Sequence, residues 1–167
     1  MHQTDIFCVM LKRNQDFVIE STKDLSHSDS VLQLPGDSNC MNWILGHVAV
    51  YRDIMLSLIL ETRCMSTSEI KLYENGSTPI NSTNKSVRLE QLLKFLQQSF
   101  ERLMAWLESN PDGLTALSDK TSDLHSDYGS TAVEKFEFLS WHETNHIGEL
   151  HAPVSYTHLT LPTILLV

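Results

Sequence analysis

His142 and His146 stand four residues apart in the stretch Trp141-His142-Glu143-Thr144-Asn145-His146-Ile147-Gly148-Glu149-Leu150. A neutral imidazole is a good ligand for a divalent transition metal. Side chains at i and i+4 of a helix lie one above the other on the same face, so this pair can hold two corners of one coordination sphere. A cation of the zinc class needs at least a third protein ligand. The best candidate is His47, in Asn42-Trp43-Ile44-Leu45-Gly46-His47.

The segment His142-Glu143-Thr144-Asn145-His146 also reads as HExxH, in which two histidines hold zinc and the glutamate acts as general base of a peptidase. The longer form of that motif fails here by one residue, at both Gly148 and His151. No later helix is expected to supply a glutamate ligand, and no strand pattern offers an edge on which a peptide could dock. Glu143 falls near the apolar face of its helix. It is a candidate general base, a candidate hydrogen-bond partner to a metal ligand, or a half-exposed helix glutamate. Tyr51, one turn past His47, is a candidate proton donor or a core residue. Cys40 lies about two turns before His47, or on the order of 10 Å, and is not counted as a ligand.

Four helices would have to position these groups. Apolar residues from Thr4 to Lys23 recur at three and four residue spacings and predict an amphipathic helix. Pro35-Gly36-Asp37-Ser38 breaks the chain and offers Asp37 or Ser38 as the N-cap of a second helix running to about Glu61. Its stripe of Cys40, Trp43, Ile44, His47, Tyr51, Ile54 and Leu58 leaves Arg52 and Asp53 to one side. Residues 63–85 are rich in Ser, Thr, Asn and Gly and read as a long connection. A third helix is expected from Ser86, as N-cap, to Ser109, with Leu89, Leu92, Leu96, Leu103 and Leu107 along one face. After a second polar connection, Thr131-Ala132-Val133-Glu134 has the form of a capping box opening the fourth helix. The fold class predicted is all-α, a four-helix bundle with long connections whose facing stripes are a natural place for a metal site.

The bulk properties narrow the function. The chain has 167 residues, 41% of them apolar and 20% charged, enough for one core. Its net charge of −9 argues against a nucleic-acid partner, since its 12 lysines and arginines are also scattered. Cys8, Cys40 and Cys64 form no CxxC pair and are odd in number, which suits a reducing, cytoplasmic location. Neither a signal peptide nor a membrane span is apparent. Residues 153–167 contain no charge, carry Pro153 and Pro162, and resemble an in-frame translation of a transposase sequencing adapter. The domain is therefore expected to be residues 1–152, followed by a non-native tail that replaces the last turns of the fourth helix.

The two histidine motifs together, over a chain stretch from Met1 to about Ala152, resemble the DinB-like family of four-helix-bundle metalloenzymes. In that family one histidine on the second helix and a His-x3-His pair on the fourth form a three-histidine site. The resemblance implies His47, His142 and His146 as ligands. Glu149 stands where glutamine is common in relatives. Three neutral imidazoles suit Zn²⁺ or Ni²⁺ with a position left for water. The resemblance further implies a metal-dependent enzyme acting on a small molecule, with a low-molecular-weight thiol as co-substrate in an S-transferase reaction. A homodimer is the assembly to test. The competing expectations are a non-catalytic, stress-related bundle with a structural or vestigial metal, and, third, a zincin-like peptidase.

Overall fold

The computed structural model describes residues 2–33, 39–117, 121 and 124–151. The proposed N-caps Asp37 and Ser38 and the whole tail 153–167 lie outside them. Among the described residues all regular structure is helical: α1 (Gln3–Thr22), α2 (His27–Ser30), α3 (Met41–Leu58), α4 (Thr67–Ile70), α5 (Leu89–Ser109), α6 (Gly113–Leu117) and α7 (Ala132–Glu149), with a 3-10 turn at Ser126–Tyr128. The all-α expectation holds. The long connections, read as irregular, carry the short helices. Two of these open on capping boxes, Ser26 with Asp29 and Ser66 with Glu69, in which each side chain binds the other's backbone N–H.

The four long helices close a ring of contacts in the order α1, α5, α3, α7. Paired residues give their directions. Phe7 meets Phe136 and Asn14 meets Glu143, so α1 and α7 run parallel. Gln15 bonds Gln97 across α1 and α5, while Arg52 on α3 bonds the Leu96 carbonyl on α5. His47 lies near His146 and Tyr51 on His142, so α3 and α7 are antiparallel. Since Asn42 bonds the Val87 carbonyl at the start of α5, α3 and α5 point the same way. A chain joining two parallel helices must travel back the length of the bundle, and segment 59–88 makes that crossover.

Helix boundaries follow local chemistry. Thr131 Oγ1 accepts the Glu134 N–H, and Glu134 accepts from the N–H groups of Thr131 and Ser130, as the capping box requires. The third long helix starts later than Ser86. The Val87 N–H donates to the Tyr73 hydroxyl and its carbonyl accepts from Asn42, which holds that residue outside the helix. The N-cap is Arg88, and the free N–H of Leu89 donates to the His27 ring at 3.3 Å. Helix α3 ends before Glu61 because Leu60 takes a left-handed conformation (φ 62°). The N–H groups of Leu60 and Glu61 then return to the carbonyls of Ser57 and Leu56, the pattern of a Schellman cap.

The core is built from the predicted stripes. Leu89, Leu92, Leu96, Leu103 and Leu107 of α5 are all buried, as are Phe7, Leu11 and Val18 of α1 and Phe136, Leu139 and Ile147 of α7. Helix α3 departs from the one-stripe reading, because it is buried nearly all round. Arg52 and Asp53, placed to one side of the stripe by the sequence, are fully buried. Asp53 is held by the backbone N–H groups of Cys64 and Met65 at 2.7 and 2.9 Å, which answers its lone pairs.

Candidate metal centre

The Asn42-to-His47 motif is explained by one residue that it seats. The Tyr73 hydroxyl donates to Asn42 Oδ1 at 2.9 Å, and its ring lies flat against Gly46. A Cβ on Gly46 would stand 2.2 Å from that ring, so only glycine admits it. With Tyr73 in place, its carbonyl accepts a hydrogen bond from His47 Nδ1–H at 2.6 Å. A carbonyl cannot donate, so the proton is on Nδ1 and the lone pair of His47 is on Nε2. Trp43 completes the motif by stacking on the His47 ring at 4.5 Å and donating its indole N–H to Ser77.

Helix α7 brings the other two imidazoles. One ring nitrogen from each of His47, His142 and His146 lies within 4.8 Å of the others, and the ring centroids are 4.5–5.3 Å apart. The described residues contain no other such group of His, Cys, Asp and Glu. His146 Nδ1 faces the Glu149 carboxylate at 3.1 Å, a contact that orients the ring as the Tyr73 carbonyl orients His47. His142 Nδ1 is buried with no hydrogen-bond partner, the one buried side-chain nitrogen or oxygen among the described residues in that condition. An unpartnered buried ring nitrogen costs about 1–3 kcal/mol, and in the tautomer with its lone pair on Nδ1 a cation is a natural way to satisfy it.

The surroundings keep the His47 and His142 rings neutral. Burial, reinforced by His146, lowers the pKa of His47 to about 4 against the raising effect of Tyr73 and Glu149. Burial and the two neighbouring histidines lower His142 to about 4 as well. Neutral imidazoles are the ligating form. Tyr51 stacks on His142 at 3.9 Å, and burial together with Tyr128 raises its pKa, so the phenol keeps its proton. His47 is enclosed, whereas His142 and His146 are partly exposed, so the group opens on one side.

The chain matches no family model, no curated protein and no solved structure. The reading of the site therefore rests on its geometry.

Glu143 is placed differently from a base. It is fully buried, and its two oxygens accept from Arg52 Nη2 at 2.8 Å and Nε at 3.2 Å, with Asn14 donating to the first oxygen. Adjacent residues on a helix point about 100° apart, so the face that carries His142 toward α3 turns Glu143 into the core. Both of its oxygens are occupied by a cation and an amide. Cys40 lies outside the histidine group, its thiol donating to the Ile80 carbonyl. Sequence reasoning missed Tyr73 and Glu149. Tyr73 lies in the crossover, where no periodicity marks it, while Glu149 follows His146 by one helical turn and carries a visible i,i+3 signal.

Two outcomes follow. Replacing an interior helix glycine with alanine ordinarily stabilises by about 1 kcal/mol; Gly46→Ala instead displaces Tyr73 and lowers stability by about 1–3 kcal/mol, as read by chemical denaturation. A stabilised variant would show that Tyr73 does not sit there. In the metal-free chain the depressed pKa values of His47 and His142 mean that the unfolded state binds more protons. Their contribution is complete above the ordinary histidine value of 6.5 and is lost as pH falls through about 4. Denaturation across that window should show a slope that His142→Gln reduces.

Proposed function

We propose that this protein is a metal-dependent enzyme of the DinB-like kind, binding one divalent cation through His47, His142 and His146 and acting on a small molecule at the open side. The observation that carries the reading is the convergence of three imidazole nitrogens from two helices within 4.8 Å of one another. The donor set suits Zn²⁺ or Ni²⁺, since all-nitrogen sites of neutral imidazole favour these borderline ions over Mg²⁺ or Ca²⁺. The ring of four long helices with a crossover between α3 and α5 is compatible with the bundle that the two sequence motifs resemble.

When bound, such an ion acts as a Lewis acid, bringing the pKa of a water toward about 7 or holding a substrate thiolate. The chain's own residues supply the rest. Tyr73 and Glu149 fix the rings of His47 and His146, Trp43 and Tyr51 wall the imidazoles against water, and the exposed edges of His142 and His146 leave an approach. An S-transferase reaction with a low-molecular-weight thiol is the chemistry proposed. A peptidase reading is disfavoured by the engagement of Glu143 with Arg52, which removes the general base that mechanism requires. No helix among the described residues is long and apolar enough to cross a membrane.

The test is metal content. The purified chain should bind about one equivalent of zinc or nickel, and His47→Ala should weaken that binding on the order of 100-fold or more, with helical circular dichroism retained. Full metal occupancy in His47→Ala would contradict the three-histidine assignment.

A further inference from the structure

Next to the histidine group lies a cleft of about 350 Å³ that the metal chemistry alone does not explain. The two share a wall. Tyr51 stacks on His142 with one face of its ring at 3.9 Å and also lines the cleft, so a molecule held there lies one ring's thickness from the imidazoles. Tyr128 lies beside Tyr51 with its ring 6.1 Å away, and both His125 and Phe138 stack nearly parallel on Tyr128. His125 is held in a left-handed conformation (φ 52°), and a non-glycine residue in that region stores strain that tends to gather at binding sites. Val50, Ile54 and Ile70 add apolar surface. These walls suit a flat, unsaturated body.

Charge gives the other half of the specificity. Among the described residues Arg63 is the only lysine or arginine lining the cleft, in a chain of net charge −9. Of the two carboxylates among the described lining residues, Asp53 is buried and accepts from the N–H groups of Cys64 and Met65 while also feeling the Arg63 charge, and Glu74 is exposed and screened by solvent. An exposed guanidinium beside aromatic walls is the arrangement that binds a carboxylate through paired, charge-assisted hydrogen bonds. We infer that this cleft is the substrate pocket and that Arg63 anchors the carboxylate of a small, flat organic acid with its body against Tyr51 and Tyr128. The inference deepens the proposed function and rests on it for the ligand's relation to the metal, but not for the binding itself.

The test uses benzoate as the probe and benzamide as its uncharged counterpart, titrated into the full chain with and without zinc and followed by backbone amide shifts. Benzoate should give saturable shifts at Tyr51, Arg63 and Tyr128, with or without zinc. Benzamide, and benzoate with Arg63→Gln, should each bind about tenfold more weakly or worse. Arg63 is exposed, so its replacement leaves the core intact. Equal binding of the two probes, an unaltered affinity in Arg63→Gln, or benzoate binding that is lost when zinc is left out would each overturn the inference, the last by placing the carboxylate on the metal. Failure of the metal reading shows itself separately, as absent zinc uptake with the benzoate titration unchanged.

Discussion

The buried pair of Arg52 and Glu143 is the constraint on which the arrangement turns. Arg52 donates from Nε and Nη2 to Glu143, and from Nη1 to the Gln15 side chain and the Leu96 carbonyl. Asn14 donates to the same glutamate and to Thr144. One network thus takes members from α1, α3, α5 and α7. Taking both ions out of water is costly, and packed apolar side chains would often be as stable. What the pair fixes is rotation and register. With Glu143 locked on α3 and α1, α7 has one orientation about its axis, and in that orientation His142 and His146 face His47. A one-residue slip would carry the imidazoles out of reach of His47 and leave two charges unanswered.

This division of labour changes the meaning of the HExxH string. In a peptidase the glutamate between the histidines faces the metal-bound water, whereas here it turns into the core, pairs with Arg52 on α3 and holds the helix that bears the histidines. The polar groups that tune the ligands come from other places: a backbone carbonyl in the crossover for His47 and the next helical turn for His146. Trp43 then stacks on His47 while Tyr51 packs against it at a tilt, so the ring that lies deepest has two aromatic neighbours. The result is a partly open nitrogen cluster with a cleft that shares Tyr51 with it.

Much of this was legible in the sequence because it depends on short-range spacing. The four long helices follow from apolar periodicity, the start of α7 from Thr131 and Glu134, and the histidine pair from its four-residue separation. His47 was legible only because it sat alone in an apolar stripe. Other features depend on contacts distant in sequence. Arg52 reads as a surface residue until Glu143 arrives from α7 to neutralise it. Tyr73, in a polar connection, acquires its role from the missing Cβ of Gly46 and the amide of Asn42. The late start of α5 is likewise set by Tyr73 and Asn42, which hold Val87 outside the helix. Local propensity carries no trace of these long-range bonds.

The central claim is that the imidazoles of two helices share one cation while the intervening glutamate stays in the core. X-ray absorption at the zinc edge of the loaded chain tests it most directly, because imidazole rings leave an outer-shell scattering pattern that carboxylates lack. The account predicts nitrogen and oxygen neighbours at about 2.0–2.1 Å with the outer-shell signal of three imidazoles, unchanged by Glu143→Gln in whatever fraction of that variant folds. A spectrum fitted by two imidazoles and a carboxylate, or one altered in its first shell by Glu143→Gln, would contradict it.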